Sequence, residues 1–118
     1  MRSHDLGVRG EELASMHLLS KGYTILERNW RFQKAEIDIL ATKDGTLAVV
    51  EVKTRSSIAF GDPEEFISRN KIQLLKRAAN AYVNMNRLNL DVRFDYIGIV
   101  IERNRHQISH LKDACFIF

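Results

Sequence analysis

Residues 36–55 read EIDILATKDGTLAVVEVKTR. Two apolar runs, Glu36–Thr42 and Leu47–Thr54, bracket Lys43-Asp44-Gly45-Thr46. Asp-Gly between such runs is a strong hairpin signal, because both central residues of a type I′ turn need positive φ. With Asp44-Gly45 as a two-residue loop, Lys43 faces Thr46, Asp38 faces Glu51 and Glu36 faces Lys53. These last four side chains share one face, since strand side chains repeat every second residue. Leu40 and Val49 follow on that face, and Ile37, Ile39, Val50 and Val52 are expected on the other. Both strands therefore read as buried on two sides, as central strands are.

Directly opposed β-carbons lie about 4.5–5.5 Å apart, so the Asp38 and Glu51 carboxylates can reach a common point. Like charges so placed repel. Mg²⁺ or Mn²⁺, which prefers carboxylate and carbonyl oxygens, would relieve the repulsion; a protonated or solvent-screened pair is the alternative. Lys53 lies two residues beyond Glu51. It can orient an attacking water and offset charge developing on a phosphate, or it can simply neutralise Glu36 or Glu51.

Outward from the hairpin, residues 5–21 read as a helix with Leu6, Leu13, Ala14, Leu18 and Leu19 as its apolar stripe and Gly22 as its stop. Tyr23–Trp30 reads as a strand. Asp62-Pro63-Glu64-Glu65 reads as a capped helical turn, and Ser68 as the cap of a second helix to about Asn86 that buries Ile72, Leu75, Ala79 and Tyr82 or Val83. Asp91–Glu102 reads as a further strand and Ala114–Phe118 as a weak last one. An order such as αββββα, with strands on one side of two helices, argues an α/β sandwich with a mixed sheet.

One hundred and eighteen residues fit one domain, 1–118. A hydrophobic content of 45% with 28% charged residues excludes a mainly disordered chain. No apolar run approaches the ~18 residues of a membrane span. Met1–Asp5 opens no signal-peptide core, and the single Cys115 excludes an internal disulfide, so a soluble cytoplasmic domain is expected. The net charge is +3, but residues 67–105 carry eight basic and three acidic side chains, leaving −2 for the remainder. A basic half of this kind permits a polyanionic partner, although a solvated helix face has the same composition.

Glu36-Ile37-Asp38-Ile39 with Val50-Glu51-Val52-Lys53-Thr54-Arg55 resembles the Asp…Glu-x-Lys core of the PD-(D/E)XK nuclease superfamily. The chain is similar over nearly its whole length to the YraN family of bacterial proteins, themselves similar to archaeal Holliday-junction resolvases. That likeness takes in Gly10-Glu11-x-Leu13-Ala14, Gly22-Tyr23, Arg28-Asn29-Trp30-Arg31, Phe60-Gly61-x-Pro63, Lys71 and Arg93-Phe94-Asp95. Ile37 replaces the superfamily's signature proline, and Ala35 stands where relatives usually carry glycine. The resemblance implies a restriction-endonuclease-like mixed β-sheet flanked by helices. It implies Asp38, Glu51 and the Val52 carbonyl as ligands of Mg²⁺ or Mn²⁺, Lys53 as the catalytic lysine and Glu11 as the glutamate that completes the site. The activity implied is metal-dependent phosphodiester hydrolysis in DNA, branched DNA included, by a symmetric homodimer.

Beside that site, Arg28, Arg31, Arg55, Lys71 and Gln73 are candidate nucleic-acid contacts. Trp30 could stack a base but reads first as a core or rim residue. Ser56–Gly61 reads equally as a closing loop or an ordinary connection. His106 and His110 have metal-ligand spacing only on a helix and are expected at the surface, and His4 and His17 carry no signal. A non-catalytic nucleic-acid-binding accessory on the same fold, or an interaction protein with a structural acidic cluster, stays open as an alternative.

Overall fold

A computed structural model describes residues 3–56 and 69–114. The elements are α1 (Ser3–Ser20), β1 (Thr24–Phe32), β2 (Ala35–Lys43), β3 (Thr46–Arg55), α2 (Arg69–Met85), β4 (Asp91–Glu102) and β5 (Arg105–Leu111). The strands form one mixed sheet in the order β1-β2-β3-β4-β5, antiparallel throughout except for the parallel pair β3–β4. Parallel neighbours need a long crossover, and α2 lies within it. The fold is thus the expected mixed sheet flanked by helices. No helix among the described residues is long and apolar enough to cross a membrane.

Local chemistry accounts for the turns. Asp44 and Gly45 both have positive φ, 51° and 79°, as the type I′ hairpin requires. Helix α1 stops where Gly22 takes φ 90° and the Tyr23 amide donates back to the Leu18 carbonyl at 3.0 Å, a Schellman closure.

Four expectations need correction. The helices lie on opposite faces of the sheet, not on one: Leu13, Ala14 and Leu18 of α1 pack on Ile39, Ala41, Ala48, Val50, Ile97 and Ile99. On the other side, Leu75, Ala78, Ala79 and Tyr82 of α2 pack on Ile37, Leu40, Leu47 and Val49. A sheet apolar on both faces demands a cover on each. Leu19 is exposed, because only the Leu13–Leu18 stripe faces the sheet. Ile37 belongs to the α2 layer while Ile39 belongs to the α1 layer, so strict alternation fails between them. The failure falls where Asn29, flanked by the pairs Arg28–Ile39 and Trp30–Ile37, adopts φ 52° in β1. Finally, the last described strand is β5, hairpinned onto β4 across Arg103-Asn104. Residue 114 lies in a short helical turn, and the rest of the weak strand placed at 114–118 falls outside the described residues, as do the readings at Ser57–Ser68.

Candidate active site

The β2–β3 register runs as the turn dictates from Lys43–Thr46 to Ile39–Val50, and there it ends. Beyond that point β2 stays with β1 as far as Ala35, while β3 stays with β4 as far as Arg55. The two central strands therefore fork where Asp38 and Glu51 come next. Asp38 takes part in the fork directly: its Oδ2 accepts the Val52 amide at 2.8 Å in place of a strand partner.

Glu51 is 5% exposed and bonded to the Lys71 ammonium of α2. Lys71, expected among the nucleic-acid contacts, is thus drawn into the carboxylate pair itself. Burial first, and then the Glu51 charge, raise the Asp38 pKa to about 7, against lowering by the Val52 hydrogen bond. Such an acid keeps a proton that the unfolded chain has released. Its contribution to stability is therefore full below pH ~4 and lost as pH rises toward 7. Asp38→Asn retains an acceptor for Val52. At about pH 8, free of divalent ions, it is expected to exceed wild type in stability by on the order of 2 kcal/mol, with no difference near pH 4. Urea melts at the two pH values test this, and equal stability at the higher one would show that the carboxylate bears no penalty.

Glu11 approaches from α1. Gly10 makes this possible: a Cβ there would overlap Thr54 Oγ1 and sit 2.7 Å from Thr54 Cβ, so helix and strand touch backbone to side chain. Glu11 Oε1 is buried with no hydrogen-bond partner among the described residues. Burial raises the Glu11 pKa, opposed by Arg28 and by a hydrogen bond from the Asn29 side chain. A cavity of about 610 Å³ opens beside it, lined in part by Glu11, Asn29, Arg31 and Glu36. Asn29 thereby gains a definite part: its left-handed backbone turns β1 at the level of Asp38, and its side chain opposes the rise of the Glu11 pKa.

Oxygen donors of this kind suit a hard divalent cation, and an unpartnered buried carboxylate oxygen beside a proton-retaining aspartate marks a shortage of positive charge. The fit concerns two carboxylates and a backbone carbonyl. Among the described residues no three His, Cys, Asp or Glu side chains gather as a metal-binding group, so Glu11 stands back from Asp38 and Glu51.

The remaining candidates separate by position. Lys53 makes no ion pair among the described residues; Glu36 is instead held by Arg31 at 2.8 Å and Glu51 by Lys71, so the purely neutralising reading of Lys53 fails. Arg28, Arg31 and Gln73 are exposed, and Arg55 is half-buried on β3 beside Val100. Trp30 packs edge-on against Tyr82, ring centroids 5.0 Å apart, and stacks with Phe32, which makes it a packing residue.

A second polar cluster, on the α1 side of the sheet, was not anticipated. His110 lies on β5 and its side chain is 9% exposed, contrary to the expected surface position. Its Nε2 bonds Asp95 Oδ2 at 2.9 Å and its Nδ1 meets His17 Nε2 at 3.3 Å. Arg93 donates to both Asp95 oxygens at 2.8 Å and to the Tyr23 hydroxyl at 2.6 Å. The signal in the sequence was Arg93-x-Asp95, opposite charges two apart on one face of an otherwise apolar strand.

Residues 10–99 match the model of the uncharacterised protein family UPF0102. A UPF0102 protein of Flavobacterium psychrophilum is 54% identical over 115 residues, which cover 98% of this chain and 97% of that protein. Relatives reach further: a UPF0102 protein of Bacteroides thetaiotaomicron is 42% identical over 96% of this chain and 93% of its own, and one of Clavibacter michiganensis 39% over 97% and 98%. The matched span contains the whole fork, from Gly10 and Glu11 through Asp38, Glu51 and Lys53 to Asp95, and the chain belongs to the UPF0102 family, the YraN-like proteins to which its motifs had pointed.

Proposed function

We propose that this chain is a cytoplasmic, Mg²⁺- or Mn²⁺-dependent nuclease acting on DNA, with branched DNA as the class implied by its resolvase-like motifs. The observation that carries the reading is the fork: a buried glutamate and a half-buried aspartate share the end of a broken strand pair, and the aspartate retains its proton to about pH 7. Asp38, Glu51 and the Val52 carbonyl would hold the ion, with Glu11 assisting from α1. A bound divalent ion polarises a phosphate and lowers the pKa of a water molecule. Lys53, two residues along the same strand and paired with no carboxylate of the described residues, would orient that water and offset charge developing on the scissile phosphate. Lys71 keeps the Glu51 carboxylate in place, while Arg28, Arg31, Arg55 and Gln73 take neighbouring phosphates.

Branched, single-stranded and duplex DNA incubated with Mn²⁺ test the assignment. Asp38→Asn and Lys53→Ala are each expected to lower the cleavage rate at least about 100-fold with the fold intact. Equal rates in wild type and both variants would rule it out. One observation favours a second reading: Lys71 already supplies Glu51 with a cation, and among the described residues no third carboxylate joins the pair. A non-catalytic nucleic-acid-binding accessory would bind DNA in the presence of chelator and cleave none of these substrates.

A further inference from the structure

The hairpin end of the sheet holds a second pocket, of about 510 Å³, lined by His17, Lys21, Tyr23, Lys43, His110 and Lys112. Three lysines and two histidines form its wall, and no carboxylate of the described residues does. Asp95, which bonds the lining residue His110, has a fully buried side chain and is also paired with Arg93. The negative end of α1 is covered as well: Lys43 Nζ donates to the Lys21 carbonyl at 2.6 Å while lying 5.5 Å from the centre of the Tyr23 ring. Two of its three donors are left over. The Asp95–His110 bond orients the His110 ring, whose Nδ1 meets His17. Positive charge is therefore concentrated in a concave site with no carboxylate among its lining residues.

We propose that this pocket binds a phosphate group. Lys21, Lys43 and Lys112 supply the charge, and His17 contributes a ring N–H once protonated. Burial, and then the neighbouring His110 and Lys21 charges, hold the His17 pKa below its ordinary value; an anion seated among these groups reverses the last two effects. The phosphate has two potential sources, a free phosphate or mononucleotide and the backbone of a nucleic acid. Occupancy by a free phosphate does not depend on hydrolysis at the fork.

Histidine ring resonances of the full chain, followed by NMR without divalent ions, test the proposal. Inorganic phosphate, adenosine 5′-monophosphate and a short DNA duplex are titrated separately, with sodium chloride of equal ionic strength as the control. Saturable shifts of His17 and His110 are expected, with a rise in the His17 pKa and about tenfold weaker binding in Lys21→Ala/Lys112→Ala. Both lysines are exposed, and Lys112→Glu alone provides a second variant at such a position. Shifts with the small phosphates assign a free ligand, and shifts with the duplex alone assign the nucleic-acid backbone. Histidines unmoved by all three, or moved equally in wild type and the lysine variants, would overturn the site. Either result leaves the nuclease reading to be judged by cleavage.

Discussion

Asp95→Asn is expected to destabilise the protein by about 3 kcal/mol, the low end of what breaking a buried ion pair costs. The side chain is fully buried and receives Arg93 Nε and Nη2, His110 Nε2 and, at 3.3 Å, the Asp113 amide. Asparagine offers one acceptor oxygen where these donors use two, and it turns an NH₂ toward Arg93 or His110. Arg93, with a side chain 20% exposed, retains some water, which keeps the loss from reaching the upper end of the range. The network also ties elements together: Arg93 reaches Tyr23 just after α1, and His110 reaches His17 on it. At roughly 4–8 °C per kcal/mol for a domain of this size, the midpoint should fall by about 12–24 °C. Burial acts to raise the Asp95 pKa, but the hydrogen bonds and charges of His110 and Arg93 prevail and hold it below the usual carboxylate range. Its stabilisation is therefore complete above pH ~4 and lost as pH falls through the depressed value. The gap between wild type and variant should close in acid. A loss below about 1 kcal/mol at neutral pH would show that the cluster is incidental to the fold.

Gly10→Ala is the second large effect, and it should reach both stability and the site. A Cβ at this position meets the branched side chain of Thr54, not the free end of a flexible one, so α1 must lift from β3. Overpacking of this kind typically costs about 1–3 kcal/mol, although alanine is intrinsically the better helix former by about 1 kcal/mol. The clash should prevail, giving a net loss of about 2 kcal/mol. Glu11 is the next residue along α1 and would move with it, away from Asn29. Gly7, in the same helix, has no neighbour within 4 Å of the place a β-carbon would take, and Gly7→Ala should be neutral or stabilising. Thr54→Gly in the Gly10→Ala background should recover part of the lost stability. Chemical denaturation of the three variants decides the matter: equal behaviour of the two alanine variants would mean that α1 approaches β3 less closely than this geometry requires.

Much of the architecture could be read from residues close together in the chain. Asp44-Gly45 set the hairpin and its register as far as Ile39–Val50, because a two-residue turn with two positive φ angles permits one alignment. Gly22 stopped α1, and the i, i+3, i+4 spacing of α2 marked its buried side. Asp38 and Glu51 were legible as a pair for the same reason. Their function as a pair, though, rests on a departure from the register: the ladder breaks one step before them, and Asp38 replaces a strand partner with its own carboxylate. Alternation rules describe an unbroken strand and have no means of announcing a fork.

Contacts between distant segments account for what could not be read. Lys71 meets Glu51 across 20 residues, and His17 meets His110 across 93. Both depend on which face each helix covers and on which strand lies beside which. The chain's periodicities settle that strands and helices form and where the hairpin turns, because those preferences act over a few residues. Strand order, the opposite placement of the two helices, the fork and the cationic pocket arise only when the sheet is assembled, because burial and charge pairing there are properties of neighbours in space.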